Sequence, residues 1–318
     1  MFVQSSSSRQ TIEFRAVDIL FIGFTALISI LIVLFRFNVE GWQRILLNNV
    51  LVTTLFFVSL WVISRVQNPL LHGVLRIGLC LIAISFLFET TGKIVHIFFP
   101  EWFDAVIAHL EYSLLGVYPT VWLQKLTSPL MTEWMMFAYV IYGPMMPFIG
   151  YLAFREGGSE ALEGFLTDLA LANIICFIGF LLVPVDWPGR LLGSYHTVPL
   201  KGYFFTSIAD SLRTDVHFPG GCLPSPHCAA STVMLVAAFR YHRKVFIALL
   251  PIIVSIYIST VYGRFHYATD VPAGILTAVL ALWLSPKICQ AWDGTKLILE
   301  TKRIVKPVVI QQTLTEEE

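Results

Sequence analysis

Charge is scarce in this chain. Only 13% of its 318 residues are Asp, Glu, Lys or Arg, where a soluble domain carries roughly 25%. The two signs balance at 21 residues each, so the formal net charge is zero. No basic surplus is left over for nucleic-acid phosphates, and that partner class is set aside. Metal-ligand spacing is also missing. The five cysteines (Cys80, Cys176, Cys222, Cys228 and Cys289) do not form zinc-type pairs. Asp, Glu and His do not cluster at Mg²⁺ or Zn²⁺ spacing, so neither metal nor cofactor is expected. The chain has no internal repeat, no low-complexity stretch and no second soluble domain. A cleavable signal peptide is not expected: residues 1–16 are polar, and the first apolar run is too long for a signal h-region.

What remains is apolar. Hydrophobic residues make up 56% of the chain and the mean hydropathy is +0.74. A membrane span needs roughly 20 apolar residues. The runs predict an all-α polytopic membrane bundle with about eight spans, near 17–36, 46–65, 74–98, 129–153, 163–184, 227–241, 245–263 and 268–286. Residues 1–16 form a polar segment, 17–65 two N-terminal spans, and 287–318 a charged tail, expected as surface helix or disorder. Within 102–123, apolar residues recur at helical spacing with Asp104, His109 and Glu111 between them. That amphipathic pattern predicts an interfacial or partly re-entrant helix.

Basic residues orient such a bundle. With eight spans, thirteen basic residues fall on the side of the termini. Seven fall on the other side: Arg36, Arg44, Lys125, Arg190, Lys201, Arg213 and Arg264. Both termini are therefore expected in the cytoplasm. The loop 185–226 and the turn 263–267 are expected together on the outer face.

Two polar islands stand in this apolar setting, Gly220 to His227 and Tyr262 to Asp270. Ionisable groups at such positions are functional candidates by default. His266 and Asp270 are four residues apart at a helix start, so they share a face. A carboxylate there holds one imidazole nitrogen and leaves the other as a nucleophile. Asp270 also suits the cap of the last helix. His227 follows Pro224-Ser225-Pro226 at a helix N-terminus, where free amides favour a phosphate. Arg264, two residues before His266, offers a planar fork for phosphate oxygens. One histidine to attack, one to protonate and nearby cations describe phosphoryl transfer.

These motifs resemble those of the type 2 phosphatidic acid phosphatase superfamily of membrane enzymes. The family's Pro-Ser-Gly-His is matched by Pro-Ser-Pro-His at 224–227, and its final His-x-x-x-Asp by His266 and Asp270. The second island, Tyr262-Gly263-Arg264-Phe265-His266-Tyr267, is nearer to the inositol phosphorylceramide and sphingomyelin synthase-like branch. The resemblance implies a catalytic membrane domain over 70–286 with a six-helix core. It implies His266 as nucleophile, Asp270 as its orienting partner, His227 as general acid, and Ser225 with nearby amides as phosphate ligands. Departures are clear. Six residues before His266, where the family's final motif Ser-Arg-x-x-x-x-x-His-x-x-x-Asp has its arginine, stands Thr260, with Ser259 before it, and the arginine is instead at Arg264. Lys201 and Arg213 are twelve apart with no following proline, a poor match to Lys-x-x-x-x-x-x-Arg-Pro; they are carried as phosphate-contact candidates behind Arg264.

The expected activity is release of phosphate from a lipid phosphate or phospholipid in the bilayer, through a phosphohistidine and without metal. Transfer to a lipid or polyol hydroxyl is the alternative. A catalytically silent lipid-phosphate binder or transporter is a third. Singly, His72, His96, His109, His196, His217 and His242 suit the membrane interface. Glu89 and Lys93 are spaced to pair within a span. Glu111, Glu133 and Asp168 are expected to tie segments together, and Arg240, Arg243 and Lys244 to anchor the inner face. Cys80, Cys176 and Cys289 read as inert thiols. Cys222 and Cys228 flank the first island, and their pairing is left open.

Overall fold

A computed structural model describes residues 13–215 and 219–304. The rest of the polar N-terminal segment, His217 and the tail beyond 304 lie outside the described residues. The helices are α1 (Ala16–Leu34), α2 (Trp42–Ile63), α3 (Pro69–Lys93), α4 (Asp104–Leu115), α5 (Pro119–Trp122), α6 (Pro129–Leu182), α7 (Gly189–Leu192), α8 (Phe204–Asp215), α9 (Pro226–Tyr241), α10 (Arg243–Tyr262) and α11 (Asp270–Ile304). Among the described residues there is no strand, only an isolated bridge between Val185 and Gly221.

Several starts share one signal, an Asx or Ser cap followed by proline at the first helical position. Asn68 accepts from Leu71 N, Ser128 from Met131 N and Ser225 from Cys228 N, and Pro69, Pro129 and Pro226 follow them. Six helices, α1, α2, α3, α6, α10 and the Asp270–Trp292 part of α11, are long and apolar enough to cross a membrane. α6 has 54 residues and would run about 81 Å if straight, against a hydrocarbon core of about 30 Å. It is broken at Gly158, whose φ of 70° and ψ of −164° suit a residue without Cβ. The limbs fold back on each other: a Cβ built on Gly150 would lie 3.4 Å from the Phe165 ring. The expected spans 129–153 and 163–184 are thus the two limbs of one broken helix. α9 is short, as its sequence predicts, with 16 residues. It packs among α6, α10 and α11 through Ala229, Ala230, Ala237 and Ala238, which let backbones approach.

Three expectations on helix extent are corrected. The span drawn to 98 ends at Lys93, and 94–97 is a run of turns in which Ile97 N bonds Ile94 O. The last helix continues past 286, through Pro286 to Ile304. The single helix over 102–123 is two pieces, because Gly116 leaves α4 in the left-handed region (φ 71°) and Pro119 opens α5. The stripe on α4 is also inverted. Asp104, Ile107, Ala108 and Glu111 face inward, while Val106, Leu110, Leu114 and Leu115 are exposed.

The two ends of the bundle differ. At one end Arg76 on α3 is bidentate to Glu163 on α6 (2.7 Å twice) and reaches Asp18 on α1 (2.8 Å). All three are buried. The Arg240–Asp168 pair lies nearby (3.2 Å); Arg240 is therefore more than an anchor. The indole of Trp292 donates to Phe14 O, which brings the start of α1 and the later part of α11 to this same end. The two histidine islands lie at the opposite end. Glu89 and Lys93 do pair across one helical turn, but both are partly exposed.

Arg76→Ala leaves two buried carboxylates facing each other, and breaking a buried ion pair costs about 3–5 kcal/mol. The expected outcome is a large fall in thermal stability in detergent. It should be recovered largely by adding Asp18→Asn and Glu163→Gln. A single Arg76→Ala variant as stable as wild type would contradict the triad's role.

Candidate active site

The second island is built by the end of α10. Arg264 N bonds Val261 O and Phe265 N bonds Thr260 O, both at 3.0 Å. This is a Schellman cap with Arg264 in the left-handed position (φ 63°). A non-glycine residue there costs roughly 1–2 kcal/mol. His266 N also bonds Thr260 O, so Thr260 fixes the backbone from which the imidazole projects.

His266 Nδ1 faces two oxygens, Cys222 O at 3.0 Å and Asp270 Oδ2 at 3.2 Å. Both are acceptors, so the neutral ring carries its proton on Nδ1 and leaves Nε2 unprotonated. Nε2 lies 3.4 Å from His227 Nδ1. Asp270 Oδ2 also accepts from Tyr267 N (2.9 Å), and Asp270 O accepts from Ser225 N (3.2 Å). The islands are therefore joined through backbone as well as through the imidazoles. Close contact of α11 with α9 makes this possible. A Cβ on Gly274 would sit 2.5 Å from Ser225 O, so only glycine fits.

α4 braces the same turn. Asp104 Oδ1 accepts from Tyr267 OH (3.0 Å) and Glu111 Oε1 from Thr269 N (2.9 Å). Burial pushes both carboxyls above the ordinary carboxylate range. Burial likewise pushes the His266 imidazole down to about 4 and the Cys222 thiol up.

The imidazoles open on a cavity of about 270 Å³. Its lining includes Phe88, Tyr139, Tyr142, Trp187, Leu212, Arg213, Cys222, His227, Phe265 and His266. Tyr139 stacks on His227 (4.8 Å, 26°), and Tyr142 packs beside the same ring (4.7 Å). Arg213 lies over the Phe265 ring at 4.6 Å and donates to Gly263 O (3.0 Å). Its Nε is buried without a partner, and burial lowers its pKa from the ordinary arginine value.

The predicted residues thus separate. His227, His266, Asp270 and Arg213 come together. Ser225 is fully buried and its hydroxyl caps α9. Arg264 does not line the cavity; its guanidinium donates to Val198 O. Lys201 is exposed and outside the lining. Glu111, Glu133 and Asp168 all bond a partner segment, as expected. Tyr139, Tyr142 and Trp187 went unnoticed in the sequence, because aromatics within apolar runs carry no signal apart from core. All five cysteines are free, so Cys222 and Cys228 do not pair.

Cys222, His266 and Asp270 bring their potential ligand atoms within 4.8 Å of one another. Two of the three groups are already engaged, Nδ1 with Cys222 O and Asp270 Oδ2 and Sγ with Phe265 O (3.4 Å), while Asp270 Oδ1 is buried without a partner. The raised thiol also disfavours the thiolate a metal takes.

A model of the family described as the PAP2 superfamily matches residues 105–284, more than half of the chain. The chain belongs to the PAP2 superfamily. This is a superfamily of lipid phosphatases and related phosphotransferases. Neither curated proteins nor solved structures give a match. The PAP2 match begins at α4 and holds both histidine islands, so of the lining residues named above only Phe88 on α3 lies before it.

The folded pKa of His266 lies below the ordinary 6.5. An unfolded chain therefore binds the proton first. The neutral ring's contribution to stability is full above about pH 6.5 and is lost as pH falls toward 4. ¹⁵N spectra of histidine-labelled protein in detergent should show His266 neutral and Nδ1-protonated at pH 5.5. A midpoint near 6.5 for that ring would contradict the burial.

Proposed function

We propose that this protein is a metal-independent membrane lipid phosphatase that moves phosphoryl from a lipid phosphate, through a phosphohistidine on His266, to water. The observation that carries the proposal is the line Asp270–His266–His227 on the wall of a cavity that also holds Arg213. In the first step the Nε2 lone pair attacks phosphorus. The ester P–O bond breaks, and the departing lipid oxygen takes a proton from protonated His227. Asp270 keeps the Nδ1 proton hydrogen-bonded while the ring gains positive charge. In the second step His227 takes a proton from water. The water oxygen attacks phosphorus, the N–P bond breaks, and its electron pair returns to Nε2. Arg213 offsets charge on the phosphoryl oxygens. A phosphorus in line with Nε2 takes the position that His227 Nδ1 occupies, so substrate binding separates the two rings.

A second reading is supported by charge. Among the described lining residues Arg213 is the one Lys or Arg. A single guanidinium matches a phosphodiester monoanion better than a phosphomonoester dianion. With a lipid or polyol hydroxyl in place of water, the same steps make a phosphotransferase. That reading agrees with the synthase-like character of the second island. The basic-residue bias supports a site on the outer face with both termini in the cytoplasm.

His266→Ala should abolish turnover of a panel of lipid phosphates and phospholipids, lowering it by roughly 10⁴-fold or more as expected for loss of a nucleophile. Acid-labile phosphate should be trapped on wild-type His266, and chelator should not slow release. Undiminished turnover in His266→Ala removes the mechanism. Tight lipid binding with no turnover in wild type favours a silent binder instead.

A further inference from the structure

Glu133 lies on the first limb of α6, remote from the histidines in sequence, yet it makes four hydrogen bonds to one place. Its Oε1 accepts from Phe205 N (2.7 Å). Its Oε2 accepts from Tyr203 N (2.6 Å), Thr206 N (3.2 Å) and Thr206 Oγ1 (2.9 Å). These donors are the free amides and the first-turn hydroxyl at the start of α8. A carboxylate from another helix thus serves as the cap that α8 lacks in its own sequence, and it faces the positive end of that helix.

α8 carries Arg213 near its other end, about 13 Å along a 1.5 Å rise from Phe204. Arg213 is held there by Gly263 O and by the Phe265 ring. That ring stacks on Tyr139 (4.0 Å, 11°), six residues beyond Glu133 on the same limb of α6. One rigid helix therefore registers both ends of α8: the start through Glu133, the end through Tyr139 and Phe265. The outcome is a guanidinium on the cavity wall whose Nε has no protein partner.

We propose that Glu133 is a positioning residue that sets Arg213 in the phosphate site by capping α8 from α6. The proposal rests on the reading of this cavity as a phosphoryl-transfer site. It gives a role to an acid near the start of α6 that makes no contact with the histidines.

The test uses the full chain in detergent and inorganic phosphate as the probe. Affinity is measured by calorimetry, and melting temperature and turnover are read in parallel. Glu133→Gln should weaken phosphate binding about tenfold, in line with loss of a charged helix cap, with Glu133→Asp intermediate. Arg213→Ala should weaken it at least as much. The double variant Glu133→Gln, Arg213→Ala should bind no more weakly than Arg213→Ala alone, because Glu133 acts through Arg213. Should Glu133→Gln not fold, Thr206→Val, which removes one of the four bonds, should weaken binding two- to threefold. Unchanged phosphate affinity in a folded Glu133 variant overturns the proposal, even where its melting temperature falls. So does a double variant whose losses multiply, or a wild type that binds no phosphate. His266→Ala separates the two claims: full turnover there defeats the catalytic reading, while the Glu133–Arg213 coupling is read on phosphate binding alone.

Discussion

One buried carboxyl group holds the site together. Asp270 Oδ2 accepts from the His266 ring and from Tyr267 N, and the carbonyl of the same residue accepts from Ser225 N. Through these contacts a single side chain and its backbone fix a ring, a turn and the start of a neighbouring helix. Low polarity around them makes each contact stronger and each vacancy more costly. The same group must also lie where α11 begins, which is why α9 and α11 touch at Gly274 with no room for a side chain.

The remainder of the molecule keeps this junction stiff from outside. α4 turns Val106, Leu110, Leu114 and Leu115 outward and its two carboxylates inward, onto Tyr267 and Thr269. The first limb of α6 places two tyrosines against His227. α10 supplies the capped turn, with Thr260 O shared by two amides. At the far end of the bundle the Asp18–Arg76–Glu163 triad joins α1, α3 and the second limb of α6. Polar staples at the two ends bracket an apolar middle, in which association relies on close packing of small residues.

How far this could be read from the sequence depends on what each element uses as its signal. The spans were legible from apolar run length, and the spacing of His266 and Asp270 showed which histidine would have a carboxylate beside it. The meeting of the islands followed from the basic turn between them. What stayed hidden depends on side-chain direction. Arg264 was favoured over Arg213 because it stands two residues from His266. The Schellman turn instead sends its side chain to Val198, and the helix α8 delivers Arg213 from farther along the chain. Ser225 looked like a phosphate ligand because its motif suggested it, yet its hydroxyl is used by the cap of α9. The inverted face of α4 was invisible for a similar reason: periodicity reports which residues share a face, and only packing decides which face turns inward. The reversal of α6 was legible as two separate spans, 129–153 and 163–184, while the continuity of the helix across Gly158 was not.

The buried triad also bears on how the chain is made. Its members are separated by 58 and 87 residues, in the order acid, base, acid. During synthesis α1 comes first, carrying Asp18 in its first turn. Arg76 follows on α3 and can neutralise it before α6 exists. Glu163 then meets an arginine whose Nε and Nη2 are still free, and accepts from both. Within the triad each charge after the first therefore meets an opposite charge that precedes it along the chain.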